Sequence, residues 1–146
     1  MSSDTQKDRR AADPTPAVRV LLVEDEFVVA MTLRVQLESL GCEVVGTARE
    51  VDEAIALAEE LRPELILLDL GLPGRSGLEA IEEIMAHAPT NIVVATAYGE
   101  ERAQEALAAG ARAVLTKPIP EEQLANMLKD ITTEGPPAGS VPGSQS

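Results

Sequence analysis

The stretch that decides the fold is LILLDLGLPG, residues 65–74, where an unbroken apolar run ends in a carboxylate with a Gly and Pro turn directly behind it. A charged group beside so many aliphatic side chains is unfavourable unless something pairs with it or uses its charge. A lone Asp at the end of a strand is usually a turn or cap residue. The rest of the chain decides whether Asp69 is such a residue or a functional residue.

Short aliphatic runs alternate with longer amphipathic segments on both sides of this stretch. The runs are apolar enough to predict strands covered on both faces, as in a parallel sheet. They occupy residues 18–23, 42–48, 64–69, 91–97 and 112–117. The segments between them repeat apolar residues at three- and four-residue spacing, which is typical of helices. Five β-α units in succession predict an α/β fold with a doubly wound, five-stranded parallel sheet and right-handed crossovers.

Local signals predict where the helices begin and end. Gly41 and Gly110 are natural C-terminal caps, and Ser76 with Glu79 has the spacing of a capping box. Phe27, beside the acids that follow the first strand, is expected to pack at the start of the first helix.

The two ends of the chain differ from its centre. Residues 1–17 and 134–146 are rich in Pro, Gly, Ser and charge, with too little apolar surface to offset the entropy of ordering. We expect flexible tails around one domain at residues 18–133, acting as a stand-alone unit without an output domain on this chain.

Composition indicates in which compartment the protein works and which kinds of molecule it binds. The formal net charge of -13 disfavours direct nucleic acid binding and contact with anionic membranes, so proteins are the expected partners. No apolar run approaches the roughly 18 to 20 residues that span a bilayer, and the N-terminus lacks the apolar centre of a signal peptide. The single Cys42, expected to be a small core residue, favours a reducing compartment. We therefore expect a cytoplasmic protein without membrane insertion.

Polar residues follow four of the predicted strands. In a doubly wound sheet, ligands bind beyond the carboxyl ends of the strands. The residues placed there are Glu24, Asp25 and Glu26 after the first strand, Asp69 after the third, Thr96 at the end of the fourth and Lys117 at the end of the fifth. Two carboxylates about 4 Å apart repel by roughly 4 kcal/mol at an effective dielectric near 20. The acids therefore predict a bound cation, and Mg²⁺ suits carboxylates that also meet water and a phosphate.

This set of residue types indicates phosphoryl transfer. Asp69, on the central strand, is the candidate nucleophile that forms an aspartyl phosphate. Lys117 is expected to pair with the phosphoryl oxygens as a compact cation, and the Thr96 hydroxyl to donate to another of them.

Four motifs in order carry a resemblance to a known family. VLLVEDE (20–26), LILLDLGLPGRSGLE (65–79), VVATAY (93–98) and VLTKP (114–118) resemble the receiver domains of two-component response regulators over about residues 18–131. The resemblance implies a flavodoxin-like fold with strand order 2-1-3-4-5. It also implies that Asp69 accepts a phosphoryl group from a sensor histidine kinase or a phosphotransfer protein, and that an unknown downstream protein reads the result.

The resemblance further implies a ligand set and one backbone feature. Asp25 and Asp69 are expected to bind Mg²⁺ directly, together with the backbone carbonyl of Gly71, while Glu24 acts partly through water. The peptide bond between Lys117 and Pro118 is expected to be cis.

The chain departs from the family pattern at two positions. Glu24-Asp25 stands where many members have two Asp residues, which lengthens the first acidic side chain. Val114 stands where many members have a Tyr or Phe that moves inward on phosphorylation, so a coupling through that ring is absent or has moved. Tyr98 is left open between a partly exposed ring and a shield of the phosphoryl group.

Three rival functions remain to be compared with the receiver. A phosphatase of the haloacid dehalogenase type needs a second acid two residues after the nucleophile, where this chain has Gly71. A nucleotide or flavin site at GLPGRSG (71–77) would follow the third strand rather than the first and would contain Pro73. A receiver-like adaptor that works without phosphorylation does not need the intact acids, threonine and lysine.

Overall fold

A computed structural model describes residues 17–97 and 99–134, and within them five parallel strands form one sheet. The strands are β1 (Arg19–Val23), β2 (Glu43–Ala48), β3 (Leu65–Leu68), β4 (Asn91–Thr96) and β5 (Ala113–Thr116). The helices are α1 (Phe27–Ser39), α2 (Val51–Leu61), α3 (Gly77–His87), α4 (Gly99–Ala109) and α5 (Glu121–Glu134). The sheet order is β2-β1-β3-β4-β5, which confirms the predicted fold. The two predicted tails lie almost entirely outside the described residues.

Two apolar layers cover the two faces of the sheet, because successive strand residues face opposite sides. On β3, Ile66 and Leu68 join the layer that packs against α2, α3 and α4. Leu65 and Leu67 join the layer that packs against α1 and α5. All four side chains are buried, as the uninterrupted apolar run predicts.

The third helix begins largely as its sequence predicts. The Ser76 hydroxyl accepts a hydrogen bond from the backbone N–H of Leu78 at 3.1 Å, so Ser76 is the N-cap. The Glu79 carboxylate, however, accepts from Arg75 Nε at 3.0 Å and does not complete the predicted capping box. Gly77 packs closely, since a Cβ there would lie 3.1 Å from Leu70 Cα.

The expectation that Phe27 packs at the start of the first helix is wrong. Its side chain is 73% exposed. The helix packs on the sheet through residues of its later turns, Leu33 and Leu37, which are both buried. Phe27 therefore belongs to the outer face of α1.

Backbone hydrogen bonds join the carboxyl ends of the first three strands in the sheet. The N–H of Glu24 donates to the carbonyl of Ala48 at 2.9 Å, and the N–H of Asp69 donates to the carbonyl of Val23 at 3.0 Å. Residues that are far apart in sequence therefore leave the sheet side by side.

Candidate functional site

Three acidic side chains meet at the carboxyl edge of the sheet. Glu24 and Asp25 follow β1 and Asp69 follows β3, and the two strands are neighbours. One carboxylate oxygen from each residue lies within 4.8 Å of the others. Three hard oxygen donors at this spacing fit a divalent cation of the Mg²⁺ type.

Lys117, which follows β5, reaches the same cluster from the other side of β4. Its Nζ lies 2.8 Å from Glu24 Oε1 and 3.5 Å from Asp69 Oδ2. The exposed fractions of the side chains are 17% for Lys117, 1% for Glu24 and 12% for Asp69. The predicted amine and two of the predicted acids therefore share one largely buried site.

Burial and charge shift the pKa values of this pair. Burial raises the pKa of Glu24, and the negative charge of Asp69 acts in the same direction against the hydrogen bonds from Lys117 and the Glu26 N–H. Burial opposes the charged form of Lys117, but the hydrogen bond to Glu24 and the charges of both acids raise its pKa overall. Lys117 is thus a cation held against two carboxylates.

Thr96 is the last residue of β4 and is fully buried. Its backbone carbonyl accepts from the N–H of Lys117 at 2.9 Å, which fixes the end of β4 against the residue that follows β5. The threonine therefore lies on the strand between those that lead to Asp69 and Lys117, at the predicted edge.

The loop after β3 folds back on the site. The backbone N–H of Gly71 donates to Asp69 Oδ1 at 3.0 Å, so this carboxylate is oriented by its own turn. The peptide bond between Lys117 and Pro118 is cis, as expected. Val114 is partly buried and packs against the layer under α2, α3 and α4, so the usual aromatic position is filled by an aliphatic side chain. Tyr98 lies outside the described residues, and the question about its ring stays a prediction.

Two arginines on the loops that follow β2 and β3 were not identified from the sequence. Arg49, after β2, donates from Nη2 to the backbone carbonyl of Asp25 at 3.3 Å. Arg75, in the loop after β3, contacts carboxylates on two helices. The four-residue spacing between Arg75 and Glu79 was a usable signal for one of these contacts, whereas Arg49 carries no local signal.

Comparisons with known proteins agree with the geometry. Residues 20–129 match the response regulator receiver domain family. The chain is 39% identical to the transcriptional regulatory protein PdtaR of Mycobacterium tuberculosis over 132 residues, which is 83% of this chain and 63% of that protein. It thus spans less than two thirds of that relative. It is 33% identical to the chemotaxis protein CheY of Thermotoga maritima over 116 residues, 78% of this chain and 97% of CheY.

A solved structure gives the same picture. The receiver domain of a sensor histidine kinase from Pseudomonas aeruginosa, solved with magnesium in its active-site cleft, superposes with a TM-score of 0.71 at 30% identity. The match covers 78% of this chain and 96% of that domain. Separately, none of the helices in the described ranges is both long and apolar enough to cross a bilayer.

Proposed function

The chain belongs to the response regulator receiver family, and on that premise we propose that it is a phosphorylation switch whose acceptor is Asp69. The observation that supports this best is the position of Lys117 Nζ, 2.8 Å from Glu24 and 3.5 Å from Asp69. A structural lysine would need only one of these partners. A lysine shared between two acids is positioned to pair with the negative charge that a phosphoryl group adds at Asp69.

The proposed reaction is transfer from a phosphohistidine on a sensor histidine kinase or a phosphotransfer protein. An Asp69 carboxylate oxygen forms a bond to phosphorus while the phosphorus–nitrogen bond to the donor imidazole breaks. The electron pair of that bond stays on the imidazole nitrogen, which takes up a proton from solvent. Lys117 balances the charge of the transferred group, and the Thr96 hydroxyl donates to one of its oxygens. Beyond this transfer and the later hydrolysis of its own product, we propose no catalysis.

We propose that Mg²⁺ is the cofactor. Asp25, Asp69 and the backbone carbonyl of Gly71 would hold it, with Glu24 acting through water. Both Glu24 oxygens are in use, one by Lys117 and the other by the N–H of Glu26 at 3.2 Å, which suits an indirect role. When bound, the ion would offset the repulsion between the acidic side chains and an incoming phosphoryl group.

We further propose that phosphorylation changes the face formed by α4 and β5, about residues 100–117, and thereby the affinity for an unidentified downstream protein. An added phosphoryl group brings about 1.5 to 2 negative charges. Thr96 and Lys117 stand at the two strand ends nearest this face, so they are the residues through which the new charge acts. The buried free thiol of Cys42 suits a reducing, cytoplasmic setting.

Labelling with acetyl phosphate and Mg²⁺ tests the acceptor. The wild type is expected to form an acid-stable, base-labile adduct at Asp69, and Asp69→Asn is expected to form none. Phosphate release without an accumulating adduct would instead indicate a phosphatase. A wild type and a variant that both stay unlabelled would contradict the proposal and leave the adaptor as the better explanation.

Amide exchange tests the switch. With beryllofluoride as a phosphoryl mimic, we expect altered exchange in residues 100–117 and no change in Asp69→Asn. Identical exchange with and without the mimic would refute the proposed output face but not the acceptor.

A further inference from the structure

Acidic side chains dominate the charge around the proposed acceptor. Glu24, Asp25 and Asp69 bring three carboxylates together, with one oxygen of each within 4.8 Å of the others. Lys117 is already shared between two of them, because its Nζ lies 2.8 Å from Glu24 Oε1 and 3.5 Å from Asp69 Oδ2. This lysine serves the acceptor and the oxygens of the phosphoryl group. A phosphodonor whose leaving group is an anion therefore needs a second cation, placed where that group departs.

A polar groove lies beside Asp25, between the loops that follow β2 and β3. It has a volume of about 400 Å³. Its lining residues are Asp25, Arg49, Glu50, Glu53, Pro73 and Gly74. Pro73 and Gly74 belong to the loop that begins at Asp69, so the groove borders the loop of the acceptor as well as Asp25. Since one water needs about 10 to 15 Å³ of such space, an acyl group of a few atoms fits in it.

Of the residues that line this groove, only Arg49 is basic. Its Nη2 donates to the backbone carbonyl of Asp25 at 3.3 Å, which places the guanidinium beside a proposed Mg²⁺ ligand. Its backbone N–H donates to Glu53 Oε1 at 3.0 Å, so the backbone and the side chain of Arg49 are both held. Arg49 is also exposed, so a solute can reach it. A guanidinium in this position can pair with a carboxylate through two N–H groups.

A smaller groove on the α1 side of Asp25 is less suited to a small anion. Its volume is about 140 Å³, and the apolar side chains of Phe27 and Met31 form part of its wall. Arg34 lines it as well, but this arginine pairs with Glu38 at 3.2 Å. Apolar surface does not stabilise an anion that leaves water. A small charged leaving group is therefore expected in the larger, polar groove.

Resting on the function proposed above, we propose that the polar groove receives the leaving group of acyl phosphates and that Arg49 pairs with the carboxylate as it forms. An Asp69 carboxylate oxygen forms a bond to phosphorus while the bond between phosphorus and the acyl oxygen breaks. The electron pair of that bond stays on the acyl oxygen, and the product leaves as a carboxylate without taking up a proton. Without Arg49, this anion would be released among Asp25, Glu50 and Glu53. Arg49 is thus a specificity-determining residue for donors with an anionic leaving group.

The test compares two small phosphodonors on the full chain. Acetyl phosphate releases acetate, an anion. Phosphoramidate releases ammonia, which is neutral because the nitrogen already carries its proton in the donor. Second-order rate constants for phosphorylation of Asp69 are measured by intact-protein mass spectrometry, at saturating Mg²⁺ and equal ionic strength. Circular dichroism checks that every variant is folded.

We expect Arg49→Gln to slow phosphorylation by acetyl phosphate about fivefold, the upper end for one exposed ion pair, and to leave the rate with phosphoramidate within about twofold of the wild type. Arg49→Lys keeps the charge and is expected to stay within about twofold with both donors. The matched control is Arg34→Gln, which removes the same charge outside the polar groove and is also expected to stay within about twofold. In about 1 M NaCl, which screens exposed charges, most of the fivefold difference should vanish.

Three results would overturn the role of Arg49 while the acceptor stands. Equal losses with the two donors would mean that Arg49 acts on the acceptor or on Mg²⁺ and not on the leaving group. Unchanged rates with both donors would mean that it has no part in the reaction. A loss of the same size in Arg34→Gln would mean that the rate follows net charge. Failure of the underlying function has its own signature, a wild type that takes no phosphoryl group on Asp69 from either donor, and that result would overturn both proposals.

Discussion

The two walls of the proposed phosphorylation site are built on opposite principles. On the α1 wall, Phe27 and Met31 are exposed, and the Arg49 guanidinium donates to the neutral backbone carbonyl of Asp25. On the wall formed by the β3–α3 loop, Arg75 binds Asp52 of α2 at 2.6 Å as well as Glu79 and Glu83 of α3. One wall satisfies its charges within the chain, and the other exposes apolar side chains to solvent. Side chains around one site therefore differ in how far contacts within the described residues satisfy them.

The strongest test of this contrast lies within α1 itself. Leu37→Ala on the inner face is expected to lower the free energy of unfolding by about 2 to 5 kcal/mol, because it leaves a cavity under a fully buried side chain. Val35→Gln on the outer face is expected to change it by about 0.5 kcal/mol or less. Urea unfolding followed by far-ultraviolet circular dichroism measures both, since the chain has no tryptophan. Comparable losses in the two variants would mean that the outer face contributes to the core as much as the inner face does.

Much of the site could be predicted from the sequence because strand ends are local features. The run that ends at Asp69, with Gly71 and Pro73 behind it, fixes both the strand and its carboxyl end. Alternating strand and helix segments predict a parallel sheet, in which all strands end at the same edge. The same reasoning therefore places Thr96 and Lys117 at the edge that holds Asp69. That Lys117 Nζ reaches Glu24 more closely than Asp69 was not predictable, because it depends on the lengths of side chains that cross the site from β1 and β5.

The two walls could not be predicted because they depend on tertiary contacts. An apolar residue at the start of a helix is compatible with either face. The sequence therefore predicts packing for Phe27, whereas the nearby residues that pack against the core are Val29 and Ala30. Arg49 and Arg75 lie in polar segments, and most partners of their guanidinium groups belong to other elements of the fold. Only the contact between Arg75 and Glu79 has a regular spacing, while the bond to Asp52 spans 23 residues.

The inner side of α1 can be probed a second way, through Cys42, which lies in the same apolar layer as Leu37. Burial raises the pKa of the Cys42 thiol from 9.0 to about 11. Between pH 9 and pH 11 the unfolded chain loses the Cys42 thiol proton while the folded protein keeps it, so deprotonation favours the unfolded chain. The contribution of the buried thiol to the free energy of unfolding is therefore complete below pH 9 and is lost as the pH rises towards 11. Between pH 8 and pH 10 the wild type should lose about 1 kcal/mol more than Cys42→Ala. Chemical unfolding of both proteins across this range measures the difference, and parallel pH profiles would show that the inner side of α1 is open to water.

The smallest expected effect concerns the opposite wall. The hydrogen bonds that Arg75 donates to Asp52, Glu83 and Glu79 raise the pKa of its guanidinium, so its charge persists at any pH at which the protein folds, and salt is the better probe. Arg75→Met is expected to lower Tm by about 1 to 3 °C in dilute buffer, and most of this difference should vanish in about 1 M NaCl, where exposed charges are screened beyond about 3 Å. The matched control is Arg34→Met, which removes a single pair with Glu38 and should shift Tm by less. Because Arg75 satisfies three carboxylates of its own chain, its loss should also leave the rate of phosphoryl transfer from a sensor histidine kinase unchanged within about twofold. A slowed transfer in Arg75→Met would mean that the phosphodonor contacts the β3–α3 loop, and the ion pairs within the chain would then not be the only role of Arg75.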